Sequence, residues 1–410
     1  MPMNQSHGAM LKRFLKEELF DAEFKKKSYI WENIEKKLNW AGGVYEVPVK
    51  QQGATTAQMG SLAATNDISE FVGTVGTIAS HKELTMTAIF REGDLARHAY
   101  SEQTYLEMIP EMVNDLTRTG VEHMEAGFLR GGGVISLATA NGTVGGNITV
   151  AEPEYFQPGQ KVEILDNDTV AATGYVRTVD INTGILTIFN ARTAGAVVDL
   201  SLFTTAQVAR VRMVGAGTES FLDLRSALLP ASLGGSDTIY GLTKANFLPL
   251  QAKRDSGSAF TSTTILRDLY KVFFQNRKLG RGEPTEIWMN YGMFANASAG
   301  LESLRQFQVK DKQAGYGFNS LSLVGNEGEI KLVALRQIPT DIAVMWDWKA
   351  AKFAGLPMKK NLYGEAGMEY FVERATTGVN YISDIVLRGD FVIQPGKLGI
   401  VHSIPAAVSA

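Results

Sequence analysis

The stretch AYSEQTYLEMIPEMVNDLTRTGVEHMEAGFLRGGG, residues 99–133, constrains this chain more than any other. Leu106, Ile109, Val113, Leu116, Met124 and Phe128 recur at steps of three, four or eight and form one apolar stripe on a helix. Glu102, Glu107, Glu111, Asp115, Arg118, Glu122 and Glu125 fall mostly on the other faces. Ser101 is placed to cap the start, and Gly131 to Gly133 to stop the end, because glycine takes the left-handed conformation at little cost. At 1.5 Å per residue the rod is about 40 Å long, well beyond the mean globular helix. Pro110 cannot donate to the Leu106 carbonyl, so it either kinks the helix or marks its true start. A rod with one apolar stripe needs a flat surface to lie on. The rest of the chain must supply it, and neighbouring copies can supply more.

Ahead of the rod, residues 9–37 predict one or two charged amphipathic helices, either packed on their own domain or laid as an arm on a neighbouring subunit. Short β-prone runs follow at 44–50, 71–78 and 83–90. Between the first two lies QQGATTAQMGSLAATND, residues 51–67, with too few large apolar side chains to make a core. A two-stranded hairpin is marginal alone, so this one is expected to be ordered by lying across another molecule.

Beyond the rod, short runs separated by turn signals from 148 to about 214 predict a small barrel or sandwich. Asp180 to Gly184 reads as a tight hairpin turn between Tyr175–Val179 and Ile185–Phe189. Residues 263–280 predict a second amphipathic helix, Glu286 to Asn290 a buried strand, and 294–307 another helix. Strands at 329–335 and 341–346 complete a mixed sheet. Residues 379–404 read as strands broken at Arg388–Gly389 and at Gln394–Gly396, returning to pair near the long helix. There Ile385, Leu387, Phe391 and Ile393 share one parity, with Val386 and Val392 blurring it.

The fold class is therefore α+β, and 410 residues suggest two or three domains. Forty Lys and Arg against 43 Asp and Glu leave a net charge of −3, unlike the basic patch of a dedicated nucleic-acid binder. With no cysteine, disulfides, thiol catalysis and zinc–thiolate sites are excluded. No apolar run reaches the roughly 18 residues of a membrane span, and the N-terminus has no signal-peptide core, so a cytoplasm-like compartment is expected. His7, His81, His98, His123 and His402 lack metal-ligand spacing. Asp166 to Gly174 opens like a calcium loop but lacks its glycine and terminal glutamate, so a β-turn is expected. There is no phosphate loop, no nucleophile elbow and no dinucleotide fingerprint. The expectation is a non-enzyme with no catalytic, cofactor-binding or metal residues.

This order of parts resembles the major capsid proteins of tailed bacteriophages, the Hong Kong 97-type fold. The hairpin region 44–90, the helix ending in LRGGG, GYVRTVDINTGILTI, IYGLTKANF, LRDLYKVFFQNR leading to EIWMNYGMF, and DIVLRGDFVIQPGKLGIV carry the likeness. The resemblance implies an N-terminal arm (1–42), an E-loop hairpin (43–92) and a P domain with its spine helix (93–147). It continues with a β-barrel insertion (148–205), the P domain and its link (206–262), an A domain (263–365) and a C-terminal return (366–410). It further implies hexamers and pentamers closing into an icosahedral virion shell around packaged double-stranded DNA, held non-specifically. A scaffold protein, a portal and decoration proteins would be partners in assembly in the host cytoplasm, with no membrane involved. Only about eight residues precede the first expected helix, so a scaffold either is a separate protein or has been cut away. An encapsulin-type compartment shell and a cytoplasmic enzyme with an inserted β-domain are the alternatives.

Some relatives cross-link an E-loop lysine to a neighbour's asparagine. Here the hairpin offers only Lys50 and Lys82, the second far from the small-residue stretch. Assembled protein boiled in denaturant is expected to run as one band near 44.6 kDa, and a ladder of heavier bands would contradict this.

Overall fold

The computed structural model describes residues 27–40, 43–50, 73–91, 102–131, 135–136, 147–150, 153–166, 169–191, 195–198, 209–214, 221–233, 235–257, 264–278, 282–304, 321–325, 328–356, 359–361, 371–375 and 378–402. By compactness the chain divides into two units, Met1–Glu125 with Leu224–Ala410, and Ala126–Asp223.

The long helix is continuous from Glu102 to Arg130, 29 residues, and runs through Pro110. Pro110 therefore does not mark its start, and the helix absorbs the missing bond to the Leu106 carbonyl. Gly131, at φ +69°, ends it. In the half whose side chains are described, Thr117, Gly120, Val121, Met124 and Phe128 are buried and follow the helical period. The side chains of Leu106, Ile109, Val113 and Leu116 lie outside the described residues.

In the first unit, one six-stranded sheet is built on the 16-residue strand Gly378–Ile393. Lys82–Arg91 pairs antiparallel along one of its edges, from Asn380 to Gly389. Phe371–Ala375, Lys359–Asn361 and Ala351–Gly355 take the other edge in turn. Glu35–Lys37 adds a parallel strand beyond Ala351–Gly355. Two sequence expectations change here. Residues 35–37 are strand rather than helix: the short helix Tyr29–Asn33, capped by the Ser28 hydroxyl accepting from the Trp31 amide, stops at an extended Ile34. Arg388–Gly389 is no break either. Gly389 sits opposite Gly355, where an added Cβ would lie 2.5 Å from the Ala354 carbonyl and the Phe353 ring. The glycine permits close approach within the strand instead of ending it. Trp31, Phe353 and Phe391 stack edge to face beside this point, with ring centroids 5.0 and 5.3 Å apart.

Tyr45–Lys50 and Gly73–Ile78 form a two-stranded antiparallel sheet. Its inner face, Val47 and Val49, is buried. Gly76 abuts Tyr240, and the Thr77 amide donates to the Tyr240 carbonyl at 2.9 Å. The root of the hairpin thus packs on its own chain. Residues 51–67 lie outside the described residues.

A second sheet of the first unit runs in the order Lys253–Ser256, Gly399–His402, Ala343–Trp346, Glu286–Met289, Gly328–Ala334, Leu321–Gly325, mixed parallel and antiparallel. The helix Thr264–Lys278 lays Leu269, Val272 and Phe273 into a core with Ile287, Met289, Met345 and Val401. The helix Tyr291–Leu304 begins three residues earlier than expected. The C-terminal segment also differs from expectation. After the turn Pro395–Lys397 it leaves the first sheet and enters this one, so it supplies a strand to each.

In the second unit six strands pair with one another, in the order Ile135–Ser136, Ala209–Met213, Lys161–Asp166, Thr169–Asp180, Ile185–Phe189, Asn147–Thr149. Val162, Ile164, Val176, Leu186, Ile188 and Val211 form their shared core. Among the described residues no pairing joins the two end strands. The Gly389→Ala variant is expected to destabilise the folded subunit by about 1–3 kcal/mol, as overpacking does, read as a lower urea midpoint.

Candidate functional site

Two concave places stand out in the first unit, and neither is built like a catalytic centre. The first is the hairpin root. Thr238–Ile239 and Leu242–Thr243 pair across Tyr240 and Gly241, both at positive φ, 54° and 74°. This is the geometry of a tight hairpin turn, and for tyrosine it is strained. Contacts on the rest of the residue hold it there. The buried hydroxyl donates to the Ile393 carbonyl at 2.8 Å and accepts from the Ile393 amide at 2.6 Å. Burial pushes the Tyr240 hydroxyl pKa up, which keeps it a neutral donor. One residue therefore joins the end of the long strand, through its hydroxyl, to the hairpin root, through its carbonyl and the Thr77 amide. Beside it opens a pocket of about 390 Å³ walled by Val47, Pro48, Val49, Leu248, Pro249, Leu250 and Ile393, with Gln394, Gly396 and Lys397 also lining it. Pro48 and Val75, paired across the hairpin, are exposed on its outer face, and Leu248 is 50% exposed.

The second is a groove of about 1020 Å³ between the long helix and the end of the strand Gly328–Ala334 with the turn that follows it. Arg118, Val121, Glu122 and Glu125 face it from the helix, Lys331 to Gln337 from that strand and turn, and Tyr291 and Phe294 from the helix between. Glu122 pairs with Arg336 at 3.1 Å. At one end the Ser28 hydroxyl, already the cap of its own short helix, donates to Glu125 at 2.6 Å. Burial pushes the Glu125 carboxyl up from 4.5 to about 7, against the smaller opposing pull of that hydrogen bond. Burial also lowers His123, on the same turn, so its imidazole is held neutral. Nearby, Glu286 accepts from the Tyr29 hydroxyl at 2.6 Å and from the Trp288 indole at 2.8 Å. Trp288 stacks on Trp346 at 4.0 Å.

The other residues weighed from the sequence are scattered. His81 packs on Trp40 with ring centroids 4.1 Å apart, His402 ends a strand, and His7 and His98 lie outside the described residues. Asp166 pairs with Thr169 across a hairpin. Among the described residues no group of three or more His, Asp or Glu could hold a metal ion. None of the helices described is long and apolar enough to cross a membrane. Sequence reasoning passed over Ser28 and Tyr240, and it placed Glu125 on the polar faces of the long helix, where the structure instead buries most of it. A cap signal before YIWEN and the Tyr240–Gly241 pair in IYGLT were the available traces.

No family model matches the sequence, and no curated protein does. Solved structures do. The capsid asymmetric unit of cyanophage A-1(L) superposes with a TM-score of 0.51 over 92% of this chain and 92% of that one, at 7% identity. The chain has the fold of a phage capsid protein. A native GTA particle capsid aligns at a TM-score of 0.44 and 8% identity, over 91% of this chain and 89% of that one. The holo-SrpI encapsulin complex of Synechococcus elongatus aligns at 0.40 and 8%, over 94% and 92%. In this capsid fold, the groove beside Glu125 carries a pH dependence. Because the folded state holds the proton up to about pH 7 and the unfolded chain only to 4.5, stability is greatest below 4.5 and falls as pH rises to 7. Glu125→Gln removes the charge and should be the more stable form at pH 8, by roughly 3 kcal/mol, but not at pH 4. Thermal midpoints of both forms at the two pH values check this.

Proposed function

We propose that the chain is a major capsid protein that assembles as hexamers and pentamers into the icosahedral shell enclosing the double-stranded DNA genome of a tailed phage. One observation carries the reading: the cyanophage capsid match spans 92% of both chains, so the likeness is to a whole shell subunit and not to a shared small motif. The Hong Kong 97-type reading gains support from the order of the parts. On it, residues 43–92 are the E-loop, the helix Glu102–Arg130 is the spine of the P domain, and the mixed sheet is the A domain. The second unit is then the insertion domain, entered from the last turn of the spine helix.

On this reading the protein is structural and not an enzyme. Its near-neutral charge suits a container that must release its DNA, since tight phosphate binding scales with the number of neutralised phosphates. Its partners are further copies of itself, a scaffold protein, a portal and decoration proteins, and assembly takes place in the host cytoplasm. Negative-stain microscopy of the purified chain tests this. Closed shells, or rings of five and six subunits, are expected. Dispersed small particles at every concentration and salt would overturn the reading. Nucleic acid inside shells isolated from infected cells, and not a protein cargo, separates a virion from a compartment.

A further inference from the structure

We propose that the turn carrying Ile181 is a docking knob that seats in the apolar pocket at the hairpin root of a second copy of this chain. The inference rests on the proposed shell function and adds a particular contact to it. Ile181 is 67% exposed, more than any other large apolar side chain described. A single exposed isoleucine is unremarkable on a loose loop. This turn is held from within instead. Asp180 accepts from the Asn182 amide at 3.0 Å, the Thr183 amide at 3.3 Å and the Thr183 hydroxyl at 2.6 Å. Gly184, at φ +71°, closes the turn so tightly that an added Cβ would lie 2.6 Å from the Val150 carbonyl. The apolar side chain is thus displayed on a pre-ordered support, and binding through it needs little further ordering of the chain.

The pocket beside Tyr240 is a suitable receptor. Its volume of about 390 Å³ has room for an isoleucine and part of its turn, and its walls are valine, leucine, proline and isoleucine. Among the described residues that line it, Lys397 is the one that carries a charge. Asp180, next to Ile181 and held ionised by its hydrogen bonds, complements that charge. Knob and pocket are different surfaces of one chain, so the contact is head-to-tail. Contacts of that kind build rings and shells, whereas a self-matching patch stops at a pair. A contact of one side chain is weak alone, as a shell that must correct errors during assembly requires.

The chain has no cysteine, so introduced thiols report without background. Ile181→Cys chains mixed with Leu248→Cys chains under assembly conditions, then treated with a short bismaleimide, should give a covalent dimer that neither variant gives alone. Ile181→Ser should slow assembly about tenfold or more, with the thermal midpoint of the soluble subunit unchanged. Shells that form normally with Ile181→Ser, and no dimer in the mixture, overturn the knob while leaving the shell function intact. A link found only within a chain carrying both substitutions overturns it too. If the unsubstituted chain forms no shells, the shell function fails, and the mixed-chain dimer still reads the contact directly.

Discussion

The strand Gly378–Ile393 is the piece on which the first unit depends. It pairs with Lys82–Arg91 on one side and with three successive strands on the other. Those partners come from positions about 300 residues away and from its immediate neighbourhood, so it closes one of the long loops of the unit. Its lower end is where side chains converge. Phe391 packs on Phe353 and through it on Trp31, Gly389 lets the backbones meet, and Ile393 accepts from the Tyr240 hydroxyl with its carbonyl and donates to it with its amide. The hairpin root is attached through the same tyrosine. A disturbance at this end therefore reaches the amino-terminal segment and the hairpin together, through packed groups that cannot shift independently.

Buried carboxylates show how the first unit distributes its polar costs. Glu286 has two donors, a phenol and an indole, each bound to one oxygen. Glu125 has the Ser28 hydroxyl, and its place in the groove wall favours the neutral acid. Burial without a cationic partner is what makes such a group proton-sensitive near neutrality. Ser28 links that chemistry to the chain start of the described structure, since it caps the helix whose Trp31 packs on Phe353, beside the long strand.

A backbone match across nine-tenths of two chains at 7% identity says what kind of information specifies this fold. Alternation along strands, one stripe along a helix and glycines where backbones cross can be met by many sequences. Gly389 against Gly355 and Gly76 against Tyr240 are places where size is the constraint. At core positions without such a close approach, an apolar side chain of about the right volume suffices. Function lies in surfaces that vary freely above this pattern, which is why the fold is shared while the sequences are not.

Periodicity determined the long helix, its glycine stop, the helix at 264–278, the buried strand at 286–289 and the tight turn at 180–184, because each depends on neighbours within a few residues. Tertiary structure decided what periodicity could not see. Glu35–Lys37 is highly charged and becomes a strand only because Lys352–Ala354 offers it a parallel partner. Arg388–Gly389 looked like a break and is a crossing point, because the residue that a Cβ would strike is more than thirty positions away. The C-terminal segment serves two sheets because the turn at Pro395 redirects it, and the choice of partners was made by edges elsewhere in the chain. Ser28, Glu125 and Tyr240 acquired their roles from burial and from partners distant in sequence. A residue's environment is a property of the assembled fold, so local traces such as a cap signal or a Tyr–Gly pair mark the position but not the partners.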